Sequence, residues 1–95
     1  MHQNNPGTIA LQLAAGADDA YRQSDLDRFR KYVGKCLLCR EAVEADSRNA
    51  ARNHYHYTEA LLQVAELCYR AGFWGLALRV AQRAQVWADD PWLGG

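Results

Sequence analysis

Two cysteines and two histidines are the residues of this 95-residue sequence best suited to hold a metal ion. Cys36 and Cys39 lie three positions apart, on one face of a helix, and thiolate and imidazole are the preferred ligands of zinc. His54 and His56 follow beyond the next turn, but they point about 200° apart on a helix. We therefore expect free thiols and no metal or other cofactor, with a zinc-binding helical protein as an alternative.

A run of basic residues between positions 22 and 40 is the second candidate for chemistry. It has six basic residues against two acidic ones and could contact phosphate groups. Over the whole chain, however, eleven basic side chains balance eleven acidic ones, unlike a dedicated nucleic-acid binder. We do not expect nucleic-acid binding, and a helical regulator that contacts nucleic acid through this stripe is an alternative. The basic stripe comprises Arg22, Arg28, Arg30, Lys31, Lys35 and Arg40.

The sequence motifs that usually carry catalysis are missing. There is no glycine-rich phosphate loop, nucleophile elbow or metalloprotease helix motif, so we expect a protein that is not an enzyme. The paired carboxylates Asp18-Asp19 and Asp89-Asp90 lie near predicted helix ends, where solvated charges are usual. Short apolar runs, three cysteines and an N-terminus without signal-peptide features predict a cytoplasmic protein without disulfides or membrane contact.

The spacing of apolar residues predicts four helices and no strand. The first covers residues 8–21, with Thr8 as its N-cap. The second covers about 25–45, with Ser24 as cap and Asp27 in the acidic position of a capping box. Its buried stripe is predicted to be Leu26, Phe29, Val33, Cys36, Leu37 and Val43.

The third and fourth helices are predicted on either side of Gly72. The third begins at Ser47 or Asn49 and ends where glycine can take the left-handed conformation without a steric penalty. The fourth covers about 74–88 and stops before Pro91. Their predicted inward residues are His54, Tyr57, Leu61, Val64, Ala65 and Cys68, then Ala77, Val80, Ala81, Ala84 and Trp87.

The two halves of the sequence match when one is shifted by 48 positions. Tyr21-Arg22 then aligns with Tyr69-Arg70 immediately before a predicted turn, and Ser24 aligns with Gly72. The other aligned pairs are Leu13 with Leu61, Ala17 with Ala65, Leu26 with Trp74, Lys31 with Arg79, and Lys35 with Arg83. This register indicates two helix–turn–helix units.

The second unit resembles a tetratricopeptide repeat, a helical hairpin that stacks into protein-binding arrays. The pattern is Leu61, Val64, Ala65, Cys68, Tyr69, Gly72, Trp74, Ala77, Ala81, Ala84 and Pro91. Its alanines would let antiparallel helices approach closely while Trp74 fills the turn. The sequence departs from the family in its repeat spacing of 48 instead of about 34 residues. Ala81 replaces the usual aromatic residue, and Pro91 comes slightly late. In the first unit, Phe29 takes the position of Ala77 in the second. A generic four-helix arrangement is therefore the alternative.

The resemblance implies an all-α domain over 1–95, with hairpin one at about 8–45, hairpin two at about 49–90 and a tail at 91–95. It also implies a non-enzymatic adaptor or small chaperone that binds a protein or peptide. Because such arrays usually need about three repeats, two hairpins favour a homo-oligomer or a hetero-complex. The expected contact residues are Tyr21, Tyr55, His56, Tyr69, Trp74, Trp87 and Trp92.

Overall fold

The structure, a computed structural model, describes residues 5–88, with side chains described as far as Gln85. Its elements are α1 (Pro6–Arg22), α2 (Leu26–Ala45), a single 3-10 turn (Ser47–Asn49), α3 (Ala50–Arg70) and α4 (Trp74–Ala88). No strand occurs within residues 5–88. The predicted all-α fold with four helices is confirmed.

The starts of α1 and α3 are set by different residues. α1 begins at Pro6 with Asn5 as N-cap, because proline fits the first helical position, where its missing N–H needs no partner. Thr8 therefore lies inside the helix, and its prediction as the cap is wrong. α3 has Asn49 at its N-cap, one of the two predicted positions, after the short 3-10 turn.

The start of α2 also differs from the prediction. Asp25 is the N-cap, and its carboxylate accepts a hydrogen bond of 3.1 Å from the Arg28 N–H. Ser24 cannot serve as the cap because its φ of 58° is left-handed, whereas an N-cap residue typically has extended dihedrals. The predicted capping box of Ser24 and Asp27 is therefore wrong.

The two interhelical turns have the same backbone hydrogen bonds. In the first turn the donors are the N–H groups of Gln23, Ser24 and Asp25, and the acceptors are the carbonyls of Asp19, Tyr21 and Ala20. In the second they are Ala71, Gly72 and Phe73, bonded to Leu67, Tyr69 and Cys68. The donor and acceptor positions of the two turns correspond at the shift of 48. Both turns are Schellman motifs. Gly72 has φ 87° where Ser24 has 58°, so the internal repeat extends to backbone geometry.

The helices form two hairpins that stack through their first helices. α1 packs on α2 (hairpin one) and α3 packs on α4 (hairpin two), while α3 also contacts α1 and α2. Small residues permit this close stacking. A Cβ placed on Gly7 would stand 2.9 Å from the Asn53 backbone of α3, and the alanines of α1 that lie in the core are Ala10, Ala14, Ala17 and Ala20.

The contact between α3 and α4 has the predicted alanine seam. Ala65, Ala77 and Ala84 are only 9%, 7% and 1% exposed, because their lack of bulk lets the two helices lie close together. Gly72 separates the helices, as predicted. The expectation that these alanines line an antiparallel seam is confirmed.

The aromatic residue that fills the second turn is Phe73, and the prediction of Trp74 is wrong. Phe73 stacks on Phe29 with ring centroids 6.1 Å apart, and the Arg30 guanidinium lies over the Phe73 ring, 4.6 Å from its centroid. The residue after a Schellman glycine is the one that turns back toward the helix, which is why Phe73 points inward. Trp74 and its repeat counterpart Leu26 are both exposed, so Leu26 is also not part of the buried stripe.

A buried amide ties the start of α1 to α3 and to the linker after α2. Asn53 is fully buried; its Oδ1 accepts a hydrogen bond from the Gly7 N–H at 3.2 Å, and its Nδ2 donates to Asp46 at 2.9 Å. Asn49 also donates to Asp46, at 3.3 Å. These hydrogen bonds hold the pKa of Asp46 below its usual value, and the bond from Asn53 makes the largest contribution.

Candidate protein-binding groove

The cysteines suited to metal binding lie in surroundings that keep them protonated. Cys36 is buried and its Sγ donates to the Ala10 carbonyl at 3.7 Å. Burial, and then the nearby Cys39, raises the pKa of the Cys36 thiol to about 12. Burial also raises the pKa of Cys39, so both thiols favour the protonated form at neutral pH. Within residues 5–88 no group of three or more His, Cys, Asp or Glu side chains could hold a metal ion.

The basic stripe is divided among ion pairs and opposite helix faces. Ion pairs join Arg22 to Asp18 (3.1 Å), Arg28 to Asp19 (3.3 Å) and Arg40 to Glu44 (2.7 Å). Arg30 is exposed, but its guanidinium lies over the Phe73 ring. At about 100° per residue, Arg28 and Arg30 also point to different sides of α2. The stripe therefore presents less positive charge on any one surface than its sequence implies.

An open apolar groove lies between α3 and α4. It is lined by Ala65, Glu66 and Tyr69 from α3 and by Trp74, Ala77, Leu78 and Ala81 from α4. We call this surface the α3/α4 groove. Tyr69, Trp74 and Leu78 form its rim and are 66%, 69% and 60% exposed. The alanines form a shallow floor, so the groove exposes large apolar side chains around small ones.

The internal repeat explains why a groove lies at this place. A shift of 48 positions takes its lining onto Ala17, Asp18, Tyr21, Leu26, Phe29, Arg30 and Val33 of hairpin one. There, hairpin two covers part of the surface, because Phe73 stacks on Phe29 and lies under Arg30, and Ala17 is fully buried, while Leu26 stays exposed. The α3/α4 groove is thus the position where a further hairpin would stack, and within the described residues no element occupies it.

An apolar stripe on α3 continues the surface of the groove. Tyr55, Leu62 and Tyr69 are spaced seven positions apart and therefore lie on one face of the helix; we call them the α3 stripe. Tyr55 and Leu62 are 62% and 55% exposed. Their counterparts in α1 are Gly7 and Ala14, which are both buried. The stripe and the groove together make one continuous stacking face.

The structure separates the predicted contact residues into several groups. Tyr69 and Trp74 meet at the groove, and Tyr55 lies on the same face of α3. Tyr21 is half-buried, with its ring 6.2 Å from that of Phe29, and therefore packs within hairpin one. His56 is also half-buried, because its Cβ lies where α1 and α3 meet at Gly7.

Two predicted contact residues lie at the end of the chain. Trp87 belongs to α4, but its side chain is outside the described part, and Trp92 lies outside residues 5–88 altogether. Two members of the stacking face were not predicted: Leu62 and Leu78. Both could have been found from spacing, since Leu62 lies midway between Tyr55 and Tyr69, and Leu78 lies one turn after Trp74.

Comparison with protein families, curated proteins and solved structures finds no match to this sequence. Among the described helices, none combines the length and the apolar character needed to cross a membrane. The function must therefore be inferred from the geometry of the chain itself. The stacking face is its most distinctive surface, because it exposes five large apolar side chains on two adjacent helices.

Proposed function

We propose that this chain is a non-enzymatic protein–protein interaction module, similar to tetratricopeptide-repeat proteins, that acts as an adaptor or small chaperone. Its α3/α4 groove takes an apolar helical segment of a partner protein. The observation that carries the proposal is the exposed rim of Tyr69, Trp74 and Leu78, on the surface whose counterpart in hairpin one is contacted by Phe73 of hairpin two.

The side chains of the groove suit a helical ligand. The small floor residues Ala77 and Ala81 would let a helix approach closely, in the way that alanines permit close contacts elsewhere in the molecule. Burial of each large rim side chain contributes roughly 1.5–3 kcal/mol of hydrophobic stabilisation. Glu66 at the edge already forms an ion pair of 2.8 Å with Arg70, so a ligand need not neutralise it.

The likeness to tetratricopeptide repeats is supported by the stacked first helices and by the matching turns. The unusual spacing of 48 residues has a physical source in the lengths of the central helices. α2 has 20 residues and α3 has 21, so each unit is longer than a repeat of about 34 residues.

Capture of partners with matched variants tests this proposal. Tagged protein would be expressed in the cell that makes it, as wild type, Leu78→Glu or Leu38→Glu. Leu78→Glu places a carboxylate at the groove rim, whereas Leu38 is 78% exposed on α2 and outside the groove. Both changes are at exposed helical sites, so both proteins should keep the wild-type circular dichroism and melting temperature.

We expect Leu78→Glu to reduce the co-purifying proteins at least about tenfold, since a charge buried in an apolar contact is strongly unfavourable. Leu38→Glu should retain them. Equal recovery with all three proteins would contradict the proposal. Capture that survives Leu78→Glu but falls steeply as salt is raised would instead support nucleic-acid or acidic-partner binding through the basic stripe.

A further inference from the structure

The two ends of the hairpin stack have different chemical characters. One end is the apolar α3/α4 groove. The other end is the outer face of α1. Its residues are the repeat counterparts, at the shift of 48, of the α3 residues that pack on hairpin one. Tyr57, Ala60 and Leu67 of α3 are buried, and they correspond to Ile9, Gln12 and Asp19 of α1, which are exposed. The α1 end thus resembles the polar cap that terminates a repeat array.

A second feature closes the α1 end. The ring of Tyr32, from α2, lies against Gly16, so close that a Cβ on Gly16 would stand 2.5 Å from it. Gly16 corresponds to Val64, which is fully buried in α3. The Tyr32 ring therefore covers this part of α1 within hairpin one. Ile9 is the one large exposed apolar side chain among the described residues of α1, against five on the stacking face, so this end offers less apolar surface to another hairpin.

This asymmetry restricts how copies of the chain can associate. Head-to-tail stacking would place the apolar groove of one copy against the polar α1 face of the next. A groove-to-groove contact places two apolar faces together, uses the same surface on both copies, and closes after two subunits. We infer that a second copy of this chain covers the α3/α4 groove, with the two copies related by a two-fold axis. The inference rests on the proposed function, because it names the occupant of the same groove.

The groove is suited in shape to pair with itself. Its large side chains, Tyr69, Trp74 and Leu78, surround a floor of alanines, so each copy offers both projections and recesses. Its charges also permit pairing. Glu66 is the one ionisable acid or base among the described lining residues apart from the tyrosine, and it is paired with Arg70. Two such faces would therefore meet without strong electrostatic repulsion.

The dimer contact would use the repeat counterpart of the surface through which α1 packs on α3. In the repeat, Tyr55 and Leu62 of the α3 stripe correspond to Gly7 and Ala14 of α1. Both of these α1 residues are buried, and Gly7 lies directly against α3. Tyr55 and Leu62 would enlarge the dimer contact beyond the groove, since seven-residue spacing presents a continuous ridge to a neighbouring helix. A four-helix contact of α3 and α4 with their copies would complete the core of a domain that is otherwise small.

Analytical ultracentrifugation across low to high micromolar concentrations tests the inference. The wild type should show a monomer–dimer equilibrium that saturates at the dimer. Leu78→Glu should weaken the dimer at least about tenfold, because two carboxylates would enter one apolar contact. Leu38→Glu carries the same changes of charge and size outside the groove and should leave the dimer unchanged.

Ile9→Glu separates the two geometries of association. Ile9 lies at the capped α1 end and is 39% exposed, so groove-to-groove pairing should tolerate this substitution. Loss of association in Ile9→Glu, with its circular dichroism spectrum unchanged, would indicate head-to-tail stacking and overturn the inference. Species that grow beyond the dimer, a dimer that survives Leu78→Glu, or a wild type that stays monomeric at high micromolar concentration would each overturn it as well.

The outcomes for the dimer and for the proposed function can be told apart. A monomeric wild type whose capture of other proteins depends on Leu78 would leave the proposed function standing and remove the second copy as occupant. A dimer that is lost in Leu78→Glu, together with capture that this variant does not change, would support the second copy and contradict the adaptor role of the groove.

Discussion

Hairpin one and hairpin two have matching turns but differ in where their large side chains lie. Phe29 and Val33 fill the floor of the surface in hairpin one, while Ala77 and Ala81 leave the corresponding floor shallow in hairpin two. At the rim, the charged Arg30 of hairpin one corresponds to the apolar Leu78. The large apolar side chains therefore lie on the floor in hairpin one, where Phe73 contacts the surface, and on the rim in hairpin two, where the surface is open among the described residues.

The largest expected effect concerns the filled floor. Phe29→Ala should lower the free energy of unfolding by about 3–5 kcal/mol, because Phe29 is fully buried and contacts both Tyr21 and Phe73. Trp74→Ala, at the open rim, should change it by less than about 0.5 kcal/mol in the monomer. Urea unfolding followed by circular dichroism at low protein concentration measures both. Similar losses of unfolding free energy in the two variants would contradict the distinction between a packed surface in hairpin one and an open surface in hairpin two.

The next effect concerns the contact between the hairpins. Gly7→Ala should cost about 1–3 kcal/mol, because the added Cβ would stand 2.9 Å from backbone atoms of Asn53 and force the hairpins apart. Gly34→Ala is the control within hairpin one. A Cβ there meets none of the described atoms within 4 Å, so it should raise stability by about 0.5–1 kcal/mol. Urea midpoints that shift in the same direction would contradict this picture of stacking.

The matching turns give a smaller pair of effects. Gly72→Ala should cost about 1–2 kcal/mol, since a φ of 87° is strained for any residue with a side chain. Ser24→Gly should have the opposite sign and raise stability by less than about 1 kcal/mol, because relief of strain is partly offset by greater freedom in the unfolded chain. Thermal unfolding of both variants checks the prediction. A loss of stability in Ser24→Gly would show that the two turns are not energetically equivalent.

The smallest effect is a pH dependence at the linker between the hairpins. Hydrogen bonds from Asn53 and then Asn49 lower the pKa of Asp46, so the folded state favours the ionised carboxylate. The resulting stability is present above the ordinary value of 3.8 and is lost as the pH falls through the lowered folded value. In urea midpoints measured from pH 5 downward, Asp46→Asn should lose stability less steeply than the wild type. Parallel curves would contradict this role of Asp46.

Much of the fold could be predicted because it depends on local patterns. The spacing of apolar residues at three and four positions predicts the four helices, and the register of Tyr21-Arg22 with Tyr69-Arg70 predicts the repeat whose two turns match. The caps were harder to predict, because Thr8, Ser24 and Asn5 all have acceptable cap chemistry. The positive φ of Ser24 excludes it as the N-cap of α2 and leaves Asp25 in that role. This backbone angle cannot be read from the residue types alone.

Prediction of the groove was less complete. The sequence predicts Tyr69 and Trp74 as contact residues, but this prediction does not include Leu62 and Leu78, although their spacing from the predicted aromatic residues places them on the same helix faces. Tyr21 was placed with the contact residues although it packs on Phe29. The chemical type of a side chain indicates what it can contact, but the fold determines whether that contact is already made inside the molecule.

The sequence by itself determined four helices, a break at Gly72 and an alanine seam between α3 and α4. These features follow from helical periodicity, from the freedom of glycine at positive φ and from side-chain size, which are all properties of short segments. Only the tertiary structure decided that Phe73 is packed while Trp74 and Leu78 are exposed, and that the open apolar face lies on hairpin two. The reason is that exposure depends on whether another helix lies over a surface, which involves residues far apart in the chain.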